Sequence, residues 1–214
     1  MQDQFFKQAK AQGYVARSAF KLLEIHRKYR IISPGANCLD LGCSPGAWLQ
    51  VACQALGPRH QGGLVLGVDI TGTAIPKRYC DDRVKVLQAD ARELNAQKLS
   101  GYCKGFHVVL SDMCHATMGS AAADAARSLE LATCAATLAV GDVAQPPTSQ
   151  GLLQAKGHLV VKLLQGAGTQ EFTSDLKQHF RKVLHVFPEA SRQESREIFI
   201  VGLGRTMPRL ATHD

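Results

Sequence analysis

Four times along this chain a short apolar run ends on, or just before, an aspartate. The runs are Cys38-Leu39-Asp40-Leu41, residues 64–70 with Asp69, residues 84–89 ahead of Asp90, and residues 106–111 ahead of Asp112. Runs this short and apolar read as strands buried on both faces, as in a parallel sheet. Helical stretches separate or follow them, at residues 47–56 and at the Ala-rich 121–140. Three more strands are expected at 158–164, 183–187 and 198–203, with a helix over 170–180. The alternation predicts an α/β, Rossmann-like fold: a mostly parallel seven-stranded sheet with helices on both faces. Ligands of such sheets sit at the carboxyl ends of the strands, so the pattern sets four carboxylates along one rim.

A chain of 214 residues fits one domain of this kind. It divides into a basic helical segment (1–35), a core (36–204) and a tail (205–214). Ser18 is placed to cap a helix over 19–30, with Phe20, Leu23 and Leu22 on its apolar side. Residues 141–150, with Pro146-Pro147, read as a surface loop. The seven cysteines are odd in number and form no CxxC pair, which argues against a disulfide framework or a metal site and for reduced thiols. No apolar run approaches the roughly 20 residues of a membrane span, and residues 1–10 lack a signal-peptide core. The expected location is the cytoplasm, or an organellar matrix if a transit peptide has been removed.

The turn after the first strand is Asp40-Leu41-Gly42-Cys43-Ser44-Pro45-Gly46-Ala47-Trp48. It is not GxGxxG, and Pro45 removes an amide that a pyrophosphate would use. S-adenosylmethionine (SAM) has no phosphate. It needs close backbone approach, which Gly42 and Gly46 allow, a carboxylate near its ammonium, and an acid for its ribose diol. Asp69 suits the diol and Asp90 the adenine edge. A lone aspartate there is as often a cap or turn former, but their convergence favours a site. Trp48 reads equally as core packing and as a pocket wall.

A second set carries the chemistry. Ser18-Ala19-Phe20-Lys21-Leu22, Asp40-Leu41-Gly42 with Pro45-Gly46-Ala47-Trp48, Leu110-Ser111-Asp112-Met113, Val160-Val161-Lys162 and Ser195-Arg196-Glu197 resemble, in order and spacing, the FtsJ/RrmJ ribose methyltransferases. The resemblance covers about residues 5–204. It implies a Lys-Asp-Lys-Glu tetrad at Lys21, Asp112, Lys162 and Glu197, with Asp112 also bordering the methyl donor. A ribose 2′-hydroxyl becomes a nucleophile when its proton is removed, and in-line attack on a sulfonium methyl then needs positioning and a base. Lys162 is the expected base. A lysine after two valines of a core strand needs a reason, and burial beside a second cation, Lys21, is expected to lower its pKa. Asp112 would orient Lys162, and Lys21 and Glu197 would hold the array and the ribose. Taken alone, Lys21 reads as a solvated helix face and Glu197 as a strand-end charge. The chain departs from the family at Met113-Cys114-His115, at Cys43-Ser44 and in the Pro146-Pro147 segment.

A net charge of +7 favours a polyanionic partner. Lys7, Lys10, Arg17, Lys21, Arg27, Lys28 and Arg30 crowd the first 30 residues, interleaved with Phe5, Phe6, Tyr14 and Tyr29. This segment is expected to offer phosphate contacts and stacking rings to RNA. Arg192, Arg196 and Arg205 flank Glu197 as a second basic set. The resemblance points to 2′-O-methylation of a uridine in the A-loop of large-subunit ribosomal RNA by a monomer. The alternatives are a transfer-RNA anticodon loop, a non-catalytic RNA-binding assembly factor, and, against the missing GxGxxG, a nicotinamide dehydrogenase.

Overall fold

The computed structural model describes residues 4–148, 150–191 and 195–208. Two helices, α1 (Gln4–Gln12) and α2 (Ala19–Tyr29), precede β1 (Asn37–Leu41), α3 (Ala47–Ala55), β2 (Leu64–Asp69) and β3 (Val84–Gln88). There follow α4 (Ala96–Leu99), β4 (Phe106–Ser111), α5 (Ala121–Val140), β5 (Leu153–Leu164), α6 (Thr169–His179), β6 (Phe180–Val186) and β7 (Glu197–Arg205). The strands form one sheet in the order β3-β2-β1-β4-β5-β7-β6. All neighbours are parallel except β7, which runs antiparallel to both β5 and β6. The chain winds outward from β1 to β3 and then restarts at β4 on the other side. The crevice between the carboxyl ends of β1 and β4 is therefore the switch point where such sheets bind ligands.

Each face of the sheet has its own core. Leu39, Leu41, Leu66, Val109, Val161 and Ile200 pack with α5 and α6 on one face. Cys38, Val65, Val108, Leu110, Val160 and Phe199 pack with α2 and α3 on the other. Beyond the register shift after Phe106 in β4 and the start of β6, the buried residues alternate along the strands because successive side chains point to opposite faces.

The expected elements are all present, with instructive shifts. The fifth strand begins at Leu153, five residues before the apolar run, because Phe106 pairs with Leu153 across a register shift. Phe180, expected to end α6, begins β6. Ser18 stands at the N-terminus of α2, but in a helical backbone conformation and with no side-chain capping bond. The buried face of α2 is Ala19, Lys21, Leu22 and Ile25, while Phe20 and Leu23 are half-buried.

The expected tail starts one residue too early, and one basic residue belongs elsewhere. Arg205 closes β7 and is 3% exposed. Its guanidinium donates to the carbonyls of Leu153, Val140, Thr148 and Gln150. It thereby pins the loop carrying Pro146-Pro147 to the far end of the sheet, away from Glu197 at the other end of the strand, and it is not an RNA contact. Burial lowers its pKa. Removing it would leave several buried carbonyls without donors, each costing about 1–3 kcal/mol. Arg205→Met is expected to lower unfolding stability by about 3 kcal/mol in urea titration; an unchanged midpoint would show that the carbonyls find other partners.

Candidate active site

Strand parity assembles the site. Asp40 follows Cys38 by two residues, Asp69 follows Val65 by four, Asp112 follows Leu110 by two, and Lys162 follows Val160 by two. On antiparallel β7, Glu197 precedes Phe199 by two. Those apolar residues all lie in the core beneath α2 and α3. The period of two therefore carries Asp40, Asp69, Lys162 and Glu197 onto that same face. Asp112, one residue beyond β4, has its backbone N–H on Leu41 O at 3.2 Å. On β5 and β7, Lys162 pairs with Phe199 and Leu164 with Glu197, so ammonium and carboxylate are diagonal neighbours.

The β1–α3 turn forms the floor of an open cleft of about 330 Å³. Gly42, Ser44, Asp69, Asp90, Asp112 and Met113 line it. Gly42 has φ +77°, and a Cβ there would lie 2.8–2.9 Å from Met113, including its backbone N and Cα. Glycine is thus required for the post-β4 loop to cross the turn. Asp69 organises the turn: its Oδ2 accepts from Ser44 N–H at 2.9 Å and its Oδ1 from Thr71 N–H at 2.8 Å. Each oxygen retains a lone pair for a hydroxyl. Asp90 is more occupied. Its carboxylate accepts from the Arg92 backbone at 2.9 Å and from the Arg92 guanidinium at 2.5–3.1 Å, which holds its pKa down at about 2.

Beside the cleft lie two ion pairs. Lys162 Nζ is 2.9 Å from Asp112 Oδ1, with both side chains mostly buried. Nζ also donates to Asp112 O at 2.6 Å. Lys21 Nζ meets Glu197 at 2.8 Å (Oε2) and 2.6 Å (Oε1) and sits 5.7 Å from the centre of the Phe199 ring. The charge state of Lys162 corrects the sequence-based expectation. Burial works against its charge, but Asp112, the Cys114 sulfur and Glu197 outweigh it and raise its pKa. Lys21, the expected second cation, is itself paired with Glu197. Glu197 moves the other way: burial opposes its charge, yet Lys21, the Ser191 hydroxyl and Lys162 hold its pKa below the usual value.

Residues 14–205 match the model of the FtsJ-like methyltransferase family. The chain belongs to that family. It is 39% identical over 204 residues to the ribosomal RNA large subunit methyltransferase E of Syntrophobacter fumaroxidans, covering 95% of each chain. It is also 39% identical to the protein of that name from Acinetobacter baumannii, covering 96% of this chain and 88% of that one. A solved ribosomal RNA methyltransferase of Plasmodium falciparum shares the fold at a TM-score of 0.72 and 24% identity, over 91% of this chain and all of that one.

Four residues expected at the methyltransferase's cofactor do not line the cleft. Asp40 is fully buried beneath it. Trp48 is 3% exposed, packs on Phe199 at 5.7 Å and donates its indole N–H to Ser18 O at 2.9 Å. Gly46 (φ +105°) makes room for Pro76, which a Cβ would meet at 2.7 Å. Pro45 is exposed and is not among the residues that line the cleft. Conversely, Arg92 and Ser191, which the motifs did not single out, touch the proposed site residues directly. An acid followed two residues later by arginine was the available signal for Arg92. Nothing local marked Ser191.

The rings of the basic segment are not free for stacking as expected. Phe5 and Tyr14 pack on Phe20 at 6.0 and 5.9 Å, and Tyr14 also packs on Tyr79 at 5.2 Å. The Lys28 ammonium covers Tyr29 at 5.4 Å. Phe6 remains 51% exposed. Arg27, Lys28 and Arg30 are exposed, Lys21 is buried, and Arg192 lies outside the described residues. Arg196 is exposed and donates to Ala121 O and Gln165 O.

Both oxygens of Asp40 lack a partner. Burial first, then Asp112 and Asp69, push its pKa well above the usual carboxylate range. The folded state thus keeps a proton that the unfolded chain releases near pH 4, so this group's contribution to stability falls as pH rises above that value. Asp40→Asn removes the titration. The variant's melting temperature relative to the parent is expected to rise by about 2–4 °C between pH 5 and pH 8, read by thermal scans. A difference independent of pH would show that Asp40 is charged in the fold.

Proposed function

We propose that this methyltransferase uses SAM to methylate a ribose 2′-oxygen of large-subunit ribosomal RNA, at an A-loop uridine, acting as a monomer. The observation that carries the reading is the pair of buried ion pairs, Lys162–Asp112 and Lys21–Glu197, set beside an acid-lined cleft. The names of the relatives support the ribosomal substrate, and the net charge of +7 suits an RNA partner.

The donor set fits SAM. Asp69 and Asp112 line the cleft, and a ligand with two positive groups answers their negative charge. Asp69 would take the ribose diol. Asp90 would take the adenine edge with oxygens it now shares with Arg92, and Gly42 with Ser44 would let the ligand approach the backbone. SAM supplies a methyl group on a positively charged sulfur.

The protein's own part is to hold the ribose and take its proton. Lys21 and Glu197 fix the hydroxyl from one side, Asp112 orients Lys162, and Lys162 Nζ accepts the 2′-proton once neutral. Asp112, the Cys114 sulfur and Glu197 favour the charged form of Lys162. Positive charge arriving beside Asp112 weakens that hold and raises the share of neutral Lys162 able to accept a proton.

Two outcomes test the chemistry. Lys162→Ala is expected to abolish transfer while SAM still binds in calorimetry; an active variant would remove Lys162 as base. Because the base must lose its proton, the single-turnover rate of the parent is expected to rise about tenfold per pH unit from neutrality, whereas a flat profile argues against a titrating lysine. The substrate is tested with methyl-labelled SAM, undermethylated large ribosomal subunits and, in parallel, transfer RNA. Label in an alkali-resistant dinucleotide from the subunit is the expected result. Label in transfer RNA alone would overturn the ribosomal assignment.

A further inference from the structure

Glu197 is held from two sides. Lys21 approaches both of its oxygens from α2. From the β6–β7 connection, Ser191 Oγ donates to Oε1 at 2.8 Å. The turn that presents Ser191 is itself anchored. Ser191 N–H donates to Pro188 O at 2.9 Å, Ala190 is 1% exposed, and Glu189 N–H donates to Glu24 Oε2 at 2.9 Å. Glu24 lies one helical turn beyond Lys21 on α2. A single turn is therefore fastened both to the helix that carries Lys21 and to the carboxylate that pairs with Lys21.

The geometry gives this turn a purpose beyond packing. A lysine ammonium carries three hydrogens on a flexible stem and sets no plane for its carboxylate. With Lys21 alone, the Glu197 carboxylate is free to rotate about its last torsion, which is broad for a glutamate. A hydroxyl donor on one named oxygen removes that freedom. The remaining lone pairs of Oε1 and Oε2 then point in fixed directions, as a group that holds a reacting hydroxyl requires.

We propose that Ser191 is a positioning residue: its hydroxyl sets the plane of the Glu197 carboxylate, and through it the place of Lys21, where the RNA ribose is held. This rests on the reading that Lys21 and Glu197 hold that ribose. Ser191 is half-buried in a connection rather than in either core. Its truncation leaves the Lys21–Glu197 pair in place, so the fold should survive it.

The experiment compares Ser191→Ala, Ser191→Thr and Glu197→Gln with the parent in single-turnover methylation of undermethylated large subunits across pH, alongside SAM binding by calorimetry. Ser191→Ala is expected to lower the rate about tenfold with an unchanged SAM dissociation constant. The acid limb that protonation of Glu197 adds, below the slope set by Lys162, is expected to begin at higher pH, because the lost hydrogen bond favoured the charged carboxylate. Ser191→Thr, which keeps the hydroxyl, is expected to restore both. If Glu197→Gln is inactive while Ser191→Ala matches the parent in rate and acid limb, the positioning role is overturned. Equal losses in the Ala and Thr variants also overturn it, since the hydroxyl is then not what acts. Full activity in Glu197→Gln would instead overturn the reading of the tetrad on which the proposal stands.

Discussion

A strand shows only every second residue to a given face, and this site exists because several strands obey that rule together. Asp40, Asp69, Lys162 and Glu197 each continue a series whose earlier members are core residues beneath α2 and α3. The burial that fixes the register of β1, β2, β5 and β7 thus also fixes where their terminal charges emerge. A slip of one residue in β5 would send Lys162 to the face packed by α5 and α6 and bring a valine to the array. The hydrophobic cost of burying the wrong residues forbids it. The positions of the charged groups are enforced by apolar neighbours two and four residues away, not by the weak attraction among the charges themselves.

One of the four charged groups of the two ion pairs, Lys21, is carried by a helix rather than at a strand end. Lys21 reaches Glu197, 176 positions away, from a helix that must be placed by other means. Helix α3, which begins right after the cleft-lining turn, supplies them. The Trp48 indole holds Ser18 O, three residues before Lys21. Gln50, fully buried, accepts from Val15 N–H and donates to Gly13 O and Arg78 O at 2.9–3.0 Å. A buried amide with its groups satisfied is a rigid brace, and an unsatisfied one is costly. Displacing α3 therefore displaces α2, so the turn facing the cleft and the lysine beside Glu197 move as one body. Trp48 matters to the site as a strut, which accounts for its place next to the turn although it lines no cavity.

This separates what the sequence makes legible from what it does not. Strand and helix positions and the acids at the strand ends follow from local periodicity, since each depends on neighbours within a few residues, whereas the set Lys21, Asp112, Lys162 and Glu197 is legible only through the family resemblance. The misread features depend on distant neighbours. Arg205 looks like a surface cation until the carbonyls of a loop more than fifty residues earlier surround it. Phe5 and Tyr14 look available for bases until Phe20 and Tyr79 cover them. Asp40 sits one residue before its strand ends, and that one residue takes it from the cleft into the core. The Pro146-Pro147 loop reads as a free insertion, yet Val143 within it is buried and Val143 O meets the His179 ring.

The charge state of Lys162 is the most consequential of these distant effects. Burial and a neighbouring cation were the expected means of turning it into a base, but the cation is consumed by Glu197 and the nearest charge is the Asp112 carboxylate. The resting array is internally neutralised, two lysines against two acids. Asp69 stands beside it without an ion-pair partner among the described residues. An array balanced this way does not deprotonate itself. It responds to added positive charge: whatever reaches Asp112 with a cationic group competes for the carboxylate that stabilises the Lys162 ammonium. On the proposed reading, a cationic group in the cleft would lower the Lys162 pKa and so raise the share of neutral amine that the reaction calls for.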